Sequence, residues 1–342
     1  MPQSIPQSSA ASLDESMDAA QLEGLWSVTL RRARYVLAVL LCGVFYWYAA
    51  WALVAPPPQY AGISLLVWPG VNPLLAILGL AAVVSIGTAL AMLVTHPDAP
   101  YTGMFCALLG LGGLAVRGGP IHLMILNAET HAAGRALFVT LAWESLLWLV
   151  VLAAAEFTTR LCFRSVFRQS QWLLRQGAEP PMFGRLVPLS WMASEGAVPP
   201  RDRLAWLADL GAFGITFGLG IMLLVITLHA QSKGQVLFGC FASFALAAMA
   251  ANGTFPRSRV AAIYLAVPAA ALLGYYRAAS TYMPPSPIVP GVYPGHAAVN
   301  MARALPIDYI VAGVPGAIAG VHMTISLRIH NMIAAESPAS AA

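Results

Sequence analysis

The sequence predicts an all-α, polytopic membrane fold of about eight transmembrane helices, with seven as the alternative count, and three observations predict it. Only 9% of the 342 residues are charged while 59% are apolar, whereas a soluble domain carries about 25% charged residues. So few charges cannot cover a water-facing surface, and the mean hydropathy of +0.72 says the same. The apolar residues also gather into runs near the roughly 20 residues that a helix needs to cross a bilayer. Finally, the basic residues fall mainly in alternate connections between those runs, the asymmetry that fixes orientation in a membrane.

Taken in order, residues 1–12 are Pro, Ser, Gln and Ala, a composition that predicts disorder, without the charged start of a signal peptide. Asp14 to Thr29 turns amphipathic, with Met17, Leu22, Leu25 and Trp26 set among Asp14, Glu15, Asp18 and Glu23. The reading for 1–30 is thus a disordered tail and a short interfacial helix. The membrane domain covers 31–332, and 333–342 reads as a flexible tail. Its spans are predicted at about 35–55, 71–94, 101–117, 135–157, 207–229, 235–251, 260–275 and 307–325. The sixth is short, and the third stops or kinks at Arg117-Gly-Gly-Pro120, where a re-entrant segment over 117–126 is the alternative. Residues 56–70, which carry no charge, read as the first outer loop.

With the N-terminus inside, thirteen of the eighteen basic residues lie on the cytoplasmic side, which predicts an N-in, C-in chain with an even number of spans. The connection from about 160 to 204 opens as a basic amphipathic helix. Phe163, Val166, Phe167 and Leu174 share one face, and Arg160, Arg164, Arg168 and Arg175 another. Such a helix suits an anionic headgroup surface, or serves as a plain positive-inside anchor. The outer stretch 277–305 holds five prolines and reads as stiff and extended.

An ionisable group inside a span costs about 2.5–3.5 kcal/mol at the centre on insertion scales and marks a functional candidate. Glu144, in TLAWESLLW near the middle of the fourth span, is the clearest. No basic residue lies one turn away, so the expectation is a neutral carboxyl that donates a hydrogen bond, with Ser85, Thr216 and Ser243 at similar depth as partners. It reads either as a proton, cation or polar-substrate site or as a structural bond between helices. Glu156, four residues before Arg160, is placed for an i,i+4 ion pair. Asp209 and Asp308 lie near span ends, where capping accounts for them.

The densest polar group is the outer connection holding Arg117, His122, Asn127, Glu129, Thr130, His131 and Arg135, which His229 and His296 can join if the helices bring them close. Imidazoles with a carboxylate suit a transition metal or acid–base chemistry; a polar boundary loop is the alternative. There is no HExxH spacing. His322 and His330 near the end of the last span have the chemistry of axial haem ligands or of headgroup contacts. Cys42, Cys106, Cys162 and Cys240 lack CxxC spacing and read as small buried hydrophobes. Gly214 and Gly218 form a GxxxG, and Ala312, Gly316 and Gly320 repeat at the same spacing; such faces let helices approach closely. Asn252-Gly-Thr254 matches a glycosylation sequon, on the cytoplasmic side.

No Walker A, GxGxxG or GxSxG signature is present, and the arginine-rich run is membrane-proximal, so nucleic acid is not an expected partner. The Arg-dominated, Ala- and Gly-rich usage points to a bacterial cytoplasmic membrane. Three functions follow from these residues. The first is a non-enzymatic subunit, scaffold or assembly factor of an envelope complex, without cofactor, partnered by lipid and by other subunits or further copies of the chain. The second is a transporter or permease subunit that uses Glu144. The third is an outer-face membrane enzyme that uses His131, Glu129 and His296. No catalytic residue is assigned, and no family is recognised.

Overall fold

The computed structural model describes residues 8–56, 62–68, 72–96, 100–121, 124–125, 128, 130–175, 205–229, 232–256, 258–282 and 300–336. Among these every regular element is helical. The first helix, α1 (Ser8–Ala49), is unbroken through the tail expected to be disordered from Ser8 onward and through the separate interfacial helix. No proline lies between Pro6 and Pro56, so nothing in the backbone chemistry stops it. α1 passes into a short turn, α2 (Trp51–Val54), and α3 (Pro73–Thr95) begins with Asn72 as N-cap. The Asn72 side chain accepts from the N–H groups of Leu74 and Leu75, and Pro73 sits where its missing N–H costs nothing.

α4 (Pro100–Gly118) ends at Gly119, whose φ of +76° is a left-handed conformation that glycine adopts freely. α5 (His131–Arg175) is a single 45-residue helix, so the fourth span and the basic helix after it are one element. The rest of that connection, 176–204, lies outside the described residues. α6 (Ala205–Thr227) and α7 (Lys233–Thr254) follow. α7 has 22 residues rather than the short span expected, because Lys233 at its start is neutralised instead of being excluded from the helix. α8 (Val260–Tyr264) and α9 (Ala266–Thr281) together form one span past Pro268. The last span joins α10 (Pro306–Asp308), a π-helical turn (Tyr309–Gly313) and α11 (Val314–Glu336). The helix thus enters the expected C-terminal tail as far as Glu336.

Seven of these helical segments are long and apolar enough to cross a membrane: 73–95, 101–118, 131–163, 206–227, 233–254, 260–281 and 306–328. The apolar half of α1, Tyr35 to Ala49, packs beside α3 and α4, with Ala38, Cys42 and Tyr46 buried. The chain is an integral membrane protein by this architecture. α4 and the last span form its interior; α6 is the least enclosed, with 22% of its apolar window buried.

The helix ends sort into two layers. On one side Arg34 donates to the His96 carbonyl (2.6 Å), the Arg259 N–H donates to Asp209 (2.7 Å), and Arg328 donates to the carbonyls of Asn252 and Gly253. On the other, Arg117 donates to the Trp47 carbonyl and stacks on Trp47 and Trp51, Tyr282 donates to the Ala128 carbonyl, and Arg303 donates to the His229 carbonyl. These are the two sets of ends that alternating spans require, and the first set holds the sequon. Its Asn252 is buried, which removes it from a glycosylating enzyme in the folded protein.

Candidate functional site

Glu144 lies nine residues into α5 from Arg135, about 14 Å along the helix axis at 1.5 Å per residue, near the midplane of a ~30 Å hydrocarbon core. It is fully buried. None of the three expected partners reaches it. Thr216 donates to the carbonyl of Ala212, and Ser243 bonds Thr227 on the neighbouring helix. The partner is Ser64, in the stretch expected to be an outer loop.

The segment Gly62–Trp68 has no regular secondary structure, yet Ile63, Ser64, Leu65 and Trp68 are all buried. It enters the bundle beside the broken end of α4, where the Gly62 N–H donates to the Gly118 carbonyl (2.8 Å). Gly62 has a φ of +94°, and a Cβ there would collide with Met124; a Cβ on Gly118 would collide with Ile63. The glycines therefore allow the chain to turn inward at this point. The run Ile-Ser-Leu-Leu-Val-Trp is apolar enough to be buried but too short to span, which explains why it folds back. Among the described residues this is the inserted non-helical segment; Met124 lies against Gly62 at its entrance, and Ile121 and Ile125 nearby in the chain are buried.

The Ser64 hydroxyl donates to Glu144 Oε2, while Ser64 Oγ itself accepts from the N–H groups of Leu66 (3.3 Å) and Val67 (3.1 Å). The Trp148 indole N–H, one turn along α5, donates to Oε1 (3.3 Å). The backbone amides of Leu65 and Leu66 also lie near the carboxyl. Indole and amide N–H are obligate donors, and the Ser64 lone pairs are engaged. Glu144 therefore acts as an acceptor here, not as the donor expected. An ordinary buried hydrogen bond contributes about 0.5–1.5 kcal/mol, so the bonds from Ser64 and Trp148 offset part of the cost of a carboxyl at this depth.

Two further carboxyls are held as closely. Glu156 forms the expected pair with Arg160 (2.7 Å) and also accepts from Tyr101 of α4 and Tyr264 of α8, each at 3.1 Å. It thereby joins three elements at one end of the bundle. Asp308 caps the start of the last span, as expected. It is 1% exposed, meets Lys233 Nζ at 2.6 Å and accepts from the Leu305 N–H (2.8 Å). That pair ties the start of α7 to the start of the last span.

Of the outer-face candidates, His131, Arg135 and His229 are exposed at helix ends. The His131 ring meets the edge of Tyr282, and the His229 carbonyl is the acceptor for Arg303. His122, Glu129 and His296 lie outside the described residues. Among the described residues no three His, Cys, Asp or Glu side chains come together as a metal site. His322 Nε2 is enclosed without a hydrogen-bond partner, and the His330 side chain lies outside the description. Arg160 is 59% exposed at its side chain although paired. Arg164, Arg168 and Arg175 continue α5, with their side chains likewise outside it. Cys42, Cys106 and Cys240 are buried and Cys162 is half-buried, none of them in a disulfide.

The small-residue rows separate sharply. Gly316 and Gly320 press against the carbonyls of Phe241 and Ala245 on α7, so these two helices pack in backbone contact. Gly214 and Gly218 of α6 have nothing within 4 Å of where a Cβ would lie. They sit in an exposed row of four-residue spacing, Trp206, Leu210, Gly214, Gly218, Met222 and Ile226. No family model, curated protein or solved structure matches this chain.

Proposed function

We propose that the chain is a non-enzymatic membrane subunit or scaffold of a bacterial envelope complex, and that a partner's transmembrane helix docks on α6. The open row from Trp206 to Ile226 carries this reading. It extends about 30 Å along the helix, the thickness of the hydrocarbon core. It contains no charged side chain and is notched at its centre by two glycines whose Cβ positions meet nothing within 4 Å among the described residues. Against lipid such a notch forfeits dispersion contacts; against a helix it permits close approach. The internal engagement of Glu144, Glu156 and Asp308 supports the same reading, since each carboxyl joins elements of this bundle. In this reading the cytoplasmic membrane holds both termini inside, and the arginines of α5 face anionic headgroups.

Native mass spectrometry of the gently extracted protein tests it. The expected result is added polypeptide mass, from another subunit or a further copy, that disappears in a Gly214→Ile/Gly218→Ile variant. Bare-chain mass in both proteins would remove the reading.

One observation favours a transporter or permease subunit as the second reading: a non-helical segment at membrane depth, bonded to Glu144. Irregular backbone at that depth occurs where it is buried in protein or lines a pathway. Under this reading Glu144→Gln abolishes uptake of an identified substrate while expression is kept. Unchanged uptake would remove that role.

A further inference from the structure

We infer that Asp308 is the carboxylate of a binding site for a sodium-class cation, and that the Lys233 ammonium is the cation that occupies it when sodium is absent. This goes beyond the docking role of α6 and does not depend on it, or on a transport role for Glu144. The two oxygens of Asp308 are used differently. Oδ2 accepts from the Leu305 N–H and so fixes the start of the last span. Oδ1 meets Lys233 Nζ at 2.6 Å without the alignment of a hydrogen bond, and both atoms are buried with no hydrogen-bond partner among the described residues. A buried ion pair repays its desolvation only when good geometry and further hydrogen bonds satisfy the remaining donors and acceptors. Here they are unsatisfied. The cap on the span does not need the lysine, and the lysine is held by charge alone.

Lys233 is the only lysine in the sequence, beside seventeen arginines. An arginine fork binds a carboxylate through two parallel bonds, whereas an ammonium is a compact point charge on a flexible stem, which another cation can replace. Lys233 is also the first residue of α7 and the more exposed member of the pair, at 11% against 1%. Rotation of its side chain carries the ammonium toward the helix end without moving either helix. What remains around Asp308 is oxygen, the ligand that hard cations take. The hydroxyls of Tyr275 and Tyr309 both lie near it. Each donates to a backbone carbonyl that precedes the span, of Ala304 and Met301 in turn, and each keeps its oxygen lone pairs. Glu144, whose bonded partners are neutral donors, also lies near Tyr275. The region thus sets two carboxyls against one ammonium, a balance that favours a cation. A π-helical turn, a form frequent at functional sites, begins at Tyr309. In the exchange sodium enters as the protonated Lys233 leaves, so charge is conserved and no proton is transferred.

Because Lys233 is the only lysine, an amine-acylating reagent reports on this one side chain, with the labelled peptide identified by mass spectrometry. The full chain in lipid nanodiscs is labelled at one alkaline pH and one ionic strength, with sodium chloride exchanged for choline chloride. Acylation is expected to be slow in choline, and about tenfold faster when sodium stands at about ten times its dissociation constant, by mass action. Asp308→Asn is expected to label fast in both salts. Thermal melts give a second readout. Lys233→Met is expected to lose stability in choline chloride and to regain most of it in sodium chloride, which supplies the missing charge. Lys233→Met/Asp308→Leu is expected to melt alike in both salts. Fast acylation of the parent in choline chloride, or equal rates in the two salts, overturns the exchange. A sodium effect on acylation that persists in Asp308→Asn overturns Asp308 as the site. So does equal melting of Lys233→Met in the two salts, a test that stands even if Asp308→Asn does not fold.

Discussion

Asp308 and Lys233 form a pair in which neither charge has much water, with side-chain exposures of 1% and 11%. Removing one member of a buried pair strands the other, at a cost of about 3–5 kcal/mol, whereas replacing both with apolar groups is often near neutral. Lys233→Met is therefore expected to lower the thermal midpoint of the detergent-solubilised protein sharply, and Lys233→Met/Asp308→Leu to recover most of the loss. Glu144 behaves differently because its partners are neutral donors. In Glu144→Gln an amide N–H faces at least one of those donors, and the expected loss is about 1–3 kcal/mol, read from the same melt. At Glu156, Tyr101→Phe and Tyr264→Phe each remove one donor from one carboxyl. Their effects are expected to be non-additive in a double-mutant cycle, as for residues of one network.

The helices divide into those whose small residues are filled by a neighbour and one whose small residues are open. A side chain at Gly320 meets the Ala245 carbonyl and Ala248 of α7. Gly320→Leu is therefore expected to destabilise by about 1–3 kcal/mol or more through overpacking. Gly218→Ala points into open space and is expected to leave the melting temperature of the isolated chain unchanged or slightly raised, since glycine weakens a helix interior relative to alanine. The contrast between the two melts separates internal packing from a face kept for a partner. α5 is an extreme in length: 45 residues correspond to about 68 Å, more than twice the hydrocarbon core. It therefore projects beyond the bilayer, and its basic residues from Arg160 onward continue the span without a break.

Across the whole molecule, the alternation of ends makes a prediction about sides. Gly253 is exposed in the layer that contains Arg34, Asp209 and Arg328, and His229 is exposed in the opposite layer. The positive-inside asymmetry predicts that the first layer faces the cytoplasm. Gly253→Cys is expected to label only after the membrane is permeabilised, and His229→Cys in intact cells. The reverse pattern would invert the orientation and leave the fold unchanged. The two layers are closed by different chemistry. Arginines bonded to backbone carbonyls recur in both, whereas the inserted Gly62–Trp68 segment and the Lys233–Asp308 pair belong to the second.

The sequence by itself determined the solvent of this protein, because a chain with 9% charged residues has no other way to cover its surface. It also located seven of the eight expected spans, with ends within six residues, since helix length and apolar composition are local properties that the bilayer reads directly. Glu144 was legible for the same reason: a carboxyl in an apolar run stands out without knowledge of its neighbours. Its partner was not legible. Ser64 is 80 residues away, in a stretch whose lack of charge was the one visible sign that it could leave the water, and whose shortness marked it as a loop. Likewise, two GxxxG-type rows that look alike in sequence have opposite fates, one closed on α7 and one open on α6. Which carboxyl meets which donor, and which small-residue face stays uncovered, depend on how separate helices are placed side by side. That placement arises from long-range packing and is absent from any local pattern.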